Sequence, residues 1–326
     1  MTLPYRRQFL RLAAGAAALP AVLRIAEAQS YPAQPVRIMV GFAAGGNTDI
    51  IARLLGQWLS ERLGQPFVVE NRPGAGTITA SQAVAKAAPD GYTILLFSSS
   101  TFVGATLYEK LNFNFVNDIV PIASATRGSY VMVVPPSFPA RNVLEFIAYA
   151  KANPGKVTMA SAGAGSGPHV TGELFKAMTG IDLVHVPYRG DAQALADLIG
   201  GQIHVYFSTL PPSIEHIKTG KVRALAITAA ARSEALPDLP TVSEFVPGYE
   251  ASLWNGFGAP KGLPVHIIEK LNKEVNAALV DPKIMARLSD LGIAPMPMTS
   301  AAFGELVVEE IEKWAKVIRA ANIKAE

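Results

Sequence analysis

Ile38-Met39-Val40-Gly41-Phe42-Ala43-Ala44-Gly45-Gly46-Asn47-Thr48-Asp49 is the stretch on which the fold turns. An apolar run of strand length gives way to small residues and a glycine pair. An amphipathic pattern then continues to Leu63 and stops at Gly64. Strand, tight loop and helix in that order form the repeating unit of α/β proteins. A second copy of the design lies in the other half of the chain, where Thr158-Met159-Ala160-Ser161-Ala162-Gly163-Ala164-Gly165-Ser166-Gly167 also leads into a helical stretch.

Outward from these two loops, strand and helix patterns alternate almost throughout. Strands are predicted at residues 36–41, 67–70, 92–98, 131–134, 157–161, 183–186, 203–207 and 224–228. Helices are predicted at 49–63, 77–88, 143–152, 169–178, 192–199 and 213–218, and in the tail at 265–279, 282–288 and 301–321. In the last of these, Phe303, Leu306, Val307, Ile311, Trp314 and Ile318 recur at helical spacing and read as a packing face. The length suits two domains.

The first 28 residues read as an address. Arg6-Arg7-Gln8-Phe9-Leu10-Arg11 precedes an Ala-rich apolar run over 12–23, and Ala26-Glu27-Ala28 offers small residues where a signal peptidase reads. The paired arginines beside Phe9-Leu10 favour the twin-arginine route over an ordinary Sec signal. The segment carries four arginines and one glutamate. Taken from 29 basic and 26 acidic residues, these leave 25 of each, so the formal +3 belongs to the signal. A neutral remainder lacks the basic footprint of a nucleic-acid binder. The absence of cysteine excludes disulfides, thiolate catalysis and a lipidated anchor. An exported, soluble periplasmic protein follows.

Both glycine-rich loops suit one task. The first N–H groups of a helix lack partners, the helix dipole adds positive charge, and glycine lets a ligand approach the backbone. Thr48, Ser161 and Ser166 add hydroxyls. Two such termini facing one another hold a carboxylate without arginine. Asp49 has two readings, as an acid stabilised by the dipole or as a holder of water or a ligand amino group. Enzyme signatures are missing: there is no phosphate-binding Gly-x-x-x-x-Gly-Lys-Ser/Thr, and Gly163-x-Gly165-x-Gly167 lacks dinucleotide spacing. Ser166 lacks the flanking glycines of a nucleophile elbow. The five histidines show no metal-ligand spacing, and His169 reads as capping or packing. No cofactor, metal or catalytic residue is expected.

Gly41 to Asp49, Val69-Glu70-Asn71-Arg72-Pro73-Gly74-Ala75-Gly76 and Ala88-Pro89-Asp90-Gly91-Tyr92 resemble the tripartite tricarboxylate transporter substrate-binding proteins, or Bug proteins. Residues 160–169, His185-Val186-Pro187-Tyr188-Arg189-Gly190, Leu198-Ile199-Gly200-Gly201-Gln202 and residues 236–242 continue the resemblance in order. It implies a type II periplasmic-binding-protein fold: two α/β lobes joined by crossing strands near 122–130 and 252–259, with the ligand cleft between them. Lobe 1 would combine 31–128 with 252–326, and lobe 2 would be 129–251. The implied binding positions are Phe42, Ala44, Gly45, Gly46, Asn47, Thr48 and Asp49 in the first loop. Ser161, Ala162, Gly163, Gly165, Ser166 and His169 belong to the second. Ser99, Ser100 and Thr101 form a third wall, and Tyr188 and Ser208 complete the set. Asn47 stands where glycine is usual, 98–102 departs from the usual sequence, and Ser208 replaces an acidic or amide residue. The implied role is a monomeric receptor passing a small carboxylate (a di- or tricarboxylate, acidic amino acid or aromatic acid) to membrane subunits. A ligand-binding sensor and a periplasmic hydrolase or isomerase are the alternatives.

Overall fold

The computed structural model describes residues 31–102 and 111–320. The export signal at 1–28 lies outside the described residues. The elements below belong to the unit Gln34–Glu326. Its strands are β1 (Val36–Val40), β2 (Phe67–Asn71), β3 (Thr93–Ser98), β4 (Ile119–Val134), β5 (Thr158–Ser161), β6 (Val184–Pro187), β7 (Val205–Thr209), β8 (Arg223–Ile227), β9 (Ser252–Pro260) and β10 (Ala294–Pro295). Its helices are α1 (Asn47–Leu63), α2 (Ile78–Ala85), α3 (Phe115–Asp118), α4 (Val143–Ala152), α5 (Gly167–Thr179), α6 (Asp191–Ile199), α7 (Leu210–Lys218), α8 (Val265–Leu279), α9 (Pro282–Asp290) and α10 (Ser300–Ala320). Residues 99–102 are helical as well.

The strands follow the order β2-β1-β3-β9-β4-β7-β5-β6, with β8 and β10 also paired to β4. β1 runs parallel to β2 and β3, and β5 runs parallel to β6 and β7, as strand–helix–strand units require. β4 belongs to both halves. From Ile119 to Ser129 it pairs antiparallel with β9, and from Tyr130 onward it pairs with β7 and β8. The expected strand at 131–134 and the crossing near 122–130 that the resemblance implies are thus parts of one long strand. The ladder absorbs Pro121 at a register shift against β9.

Local chemistry sets the element ends. α1 stops at Gly64, whose φ of 74° is the left-handed conformation glycine adopts freely. Helix 77–88 is shorter than expected. Ala75, Gly76 and Thr77 turn left-handed, with φ of 46°, 56° and 81°, so α2 begins at Ile78. Gly41 faces that turn, and a Cβ there would lie 2.5 Å from the Thr77 Cβ.

Each half closes its own aromatic core. Phe97, Phe102, Phe115, Trp254 and Phe303 pack edge-on or stacked with centroids 4.8–5.8 Å apart. Tyr130, Phe146, Phe175, Phe207 and Tyr249 fill the other half. The stripe on α10 is a packing face, with Phe303, Val307, Trp314 and Ile318 buried and Leu306 and Ile311 half-buried. No helix among the described residues is long and apolar enough to cross a membrane.

Candidate functional site

The first loop is held by one carboxylate. Asp49, buried in the first turn of α1, accepts from the Gly45 N–H at 2.9 Å, from Arg53 Nε and Nη2 at 3.0 and 2.9 Å, and from Asn71 Nδ2 at 2.9 Å. Asn71 also reaches the Phe42 carbonyl at 3.0 Å. Burial pushes the Asp49 carboxyl up, but the hydrogen bonds from Arg53, Gly45 and Asn71 outweigh it and hold it below its ordinary value. Of its two readings, the structure places Asp49 in the role of loop brace. Gly46 caps α1 without a side chain, so no hydroxyl or carboxylate of the loop itself occupies the first N–H groups.

The second loop is held by neutral groups. Ser161 Oγ accepts from the Gly163 N–H at 3.1 Å and lies 2.6 Å from His185 Nε2. His185 stacks on His169 at 4.0 Å, and His169 Nδ1 accepts from the Gly165 N–H at 3.1 Å. Burial first, then the neighbouring His185 and Lys176, push the His169 imidazole down to about 3, so it is uncharged at neutral pH. His169 therefore packs against His185 and accepts from the loop backbone. The serine–histidine pair was not legible in the sequence. Its serine oxygen is fully buried and already engaged, which makes the pair a support for the loop. Ser166 stands at the N-cap of α5 with no side-chain capping bond, and its Oγ has no partner within the protein.

The two helix starts converge on one small cavity lined by Phe42, Asn47, Thr48, Ser98, Ser100, Tyr130, Ala162, Pro168, Asp191, Thr209 and Leu253. The crossing strands tie it together. Asn255 on β9 accepts from Asn47 Nδ2 at 3.3 Å and Thr48 Oγ1 at 3.4 Å, and donates to Thr126 on β4 at 3.2 Å. The Tyr130 hydroxyl bonds Ser100, and burial pushes it well above its ordinary value. It sits against Gly167, where a Cβ would lie 1.9 Å from it. The halves also meet directly through Ala43 N–H to the Arg189 carbonyl at 3.2 Å.

Asp191, the first residue of α6, was missed. Its carboxylate accepts from the Tyr206 hydroxyl at 2.5 Å and from the backbone N–H groups of Asn47 and Thr209. Burial raises it, and these bonds only partly offset that. An acid at a helix start reads as a dipole partner on the surface. Nothing in the local sequence marks it as turned inward.

The remaining expected residues divide. Asn47, Thr48, Ser100 and Ala162 are buried and line the cavity, whereas Gly46, Ser99, Thr101, Ser161, Gly165 and Ser166 are buried without lining it. Ala44 and Gly45 are exposed and do not line it, and Gly163 is half-buried. Tyr188 donates to Asp197 at 2.7 Å, and its hydroxyl is pushed up to about 12, by burial and then by that carboxylate. It lines a neighbouring cavity of about 220 Å³ that shares Phe42 and Ala162 with the first. Ser208 is turned away, bonding the Thr209 carbonyl at 2.9 Å, and Thr209 is the residue of β7 that lines the cavity.

Two helix starts that carry no capping side chain of their own, with the unmet Ser166 hydroxyl beside them, form a place to hold an anion. Comparison with known proteins agrees. BugT of Bordetella pertussis is 38% identical over 300 residues, covering 91% of this chain and 92% of BugT. Two solved structures superpose closely. Rpa4515 of R. palustris with adipate is 35% identical with a TM-score of 0.88, covering 90% of this chain and 99% of that one. MatC (Rpa3494) from Rhodopseudomonas palustris with bound malate is 34% identical with a TM-score of 0.85, covering 88% and 100%. The family and these neighbours are solute-binding receptors, not enzymes. The family described as "Tripartite tricarboxylate transporter family receptor" matches residues 51–323, and the chain belongs to it.

Proposed function

We propose that this chain is a periplasmic receptor, exported by its residues 1–28, that captures a small carboxylate and hands it to the membrane subunits of a tripartite tricarboxylate-type transporter. The observation that carries the reading is the pairing of α1 and α5. Neither start is capped by a side chain of its own loop, each helix comes from a different half, and residues of both line one cavity. Adipate and malate in the two neighbours support a carboxylate as the ligand. Charge-assisted hydrogen bonds contribute about 1.5–3 kcal/mol each, and micromolar affinity takes about 8 kcal/mol, so four or five donors suffice.

In this reading the lobes are 31–128 with 252–326, and 129–251, and a monomer closes them about the two crossings near Arg127-Gly128 and Asn255-Gly256. The loop residues, with Asn47, Thr48, Ser100 and Ser166 foremost, hold the ligand. Thermal melts of the mature protein against a panel of carboxylates test it. A true ligand at a hundred times its Kd raises stability by about 2.7 kcal/mol and lowers the radius of gyration in solution scattering. A flat response to every carboxylate at millimolar concentration overturns the reading.

A further inference from the structure

Asp191 is a carboxylate buried in a cleft built for anions. Its exposure is 5%, it lines the cavity between the two helix starts, and the donors on it are a tyrosine hydroxyl and backbone N–H groups. Among the described residues, no lysine, arginine or histidine forms an ion pair with it. Buried charges are ordinarily paired, so the missing partner is informative.

A second, independent observation lies beside it. Asn47 is 3% exposed and gives its Nδ2 to Asn255, which leaves its Oδ1 buried and without a partner. The backbone N–H of that same residue is the one that reaches Asp191. One corner of the cavity thus holds two acceptors, the Asp191 carboxyl, which burial raises, and an unmet carbonyl, while the Ser166 hydroxyl at the start of α5 has no partner either. A ligand carboxylate suits the helix starts but finds at this corner two groups that already act as acceptors. An ammonium meets two acceptors and the counter-ion Asp191 lacks.

We infer that the cleft selects carboxylates that also carry an ammonium group, an amino acid rather than a plain di- or tricarboxylate, with Asp191 and the Asn47 carbonyl as the ammonium acceptors. The inference rests on the carboxylate-receptor reading and narrows it. Asp191 is then the specificity-determining residue of the site.

The test is calorimetric titration of the mature protein at pH 7.5 with matched pairs that differ only in the amino group: succinate and L-aspartate, glutarate and L-glutamate, adipate and L-2-aminoadipate, 3-phenylpropionate and L-phenylalanine. The amino member of the best-bound pair is expected to bind at least tenfold tighter. Asp191→Asn removes most of that preference with an unchanged circular dichroism spectrum, and Asn47→Gly reduces it in a loop already rich in glycine. If Asp191→Asn does not fold, Asn47→Gly carries the comparison. Equal or tighter binding of the desamino acid overturns the inference and leaves the receptor reading standing. That result means Asp191 is protonated and donates to a second carboxylate. A preference that survives both variants also overturns it. Binding by no member of the panel overturns the carboxylate reading and the inference together.

Discussion

The two glycine-rich loops look alike in sequence and are built from opposite materials. The first hangs on a charge: Asp49 gathers an arginine, an amide and a backbone N–H around α1. The second hangs on uncharged rings: His185 steadies Ser161 while His169 stacks on it and takes the Gly165 N–H. In neither does the N-cap residue's own side chain bond the helix start, yet acid undoes the two loops at different points. Asp49, held below its ordinary value, contributes stability that is present above about 3.8 and is lost only as pH falls through its lowered folded value. His169, pushed down to about 3, contributes stability that is full above about 6.5 and declines as pH falls toward 3.

The sharpest way to break this contrast is therefore pH. Between pH 7 and pH 4, urea unfolding of the wild type should lose about 3 kcal/mol more than His169→Gln, which keeps an acceptor but does not titrate. Equal slopes would show that the imidazole stack is not what acid attacks. Next in size is Gly46→Leu. Its Cβ would lie 2.8 Å from Asp191 Oδ2, so the halves cannot close, and affinity should fall at least a hundredfold, about 2.7 kcal/mol, with the fold intact. Normal affinity would mean that the first loop stays clear of Asp191 in the closed form.

Asp49→Asn tests the charged brace directly. Arg53 is half-exposed, so the ion pair adds little by itself. The buried bonds to Gly45 and Asn71 weaken, and chemical denaturation should show a loss of about 1–2 kcal/mol. The smallest effect is expected from Ser166→Ala. Its hydroxyl has no partner within the protein, so stability should hold or rise slightly while ligand affinity falls by about 1 kcal/mol. A variant that loses stability and keeps affinity would assign Ser166 to the scaffold.

The alternation of patterns was enough to place both loops, because a strand ending in small residues before an amphipathic run has few other folded forms. What escaped were features made by distance in sequence. Asp191 turns inward only because Tyr206 and Asn47 await it, 15 and 144 residues away in the chain. His185 meets Ser161 across the β5–β6 pair, a partnership that register sets and spacing does not announce. Of the left-handed turn at Ala75–Thr77, only Thr77 read as helix, because threonine gives no sign of positive φ. Ser208 was expected at the ligand as the departure from a family pattern. Strand alternation gives that wall to Thr209 instead.

The side-by-side crossing of β4 and β9 bears on how the chain is made. Ser129 and Ser252 are partners in one ladder, so everything between them leaves and returns at a single point, like a page inserted into a folded sheet. β9 lies between β3 and β4 in the strand order, and it is synthesised after the whole insert. The first half therefore waits with β3 unpaired on one edge, while the second half already has β5, β6, β7 and β8 beside the end of β4. On a ribosome the middle of this protein is complete before its beginning, and proteolysis of stalled chains should find the inserted half protected first.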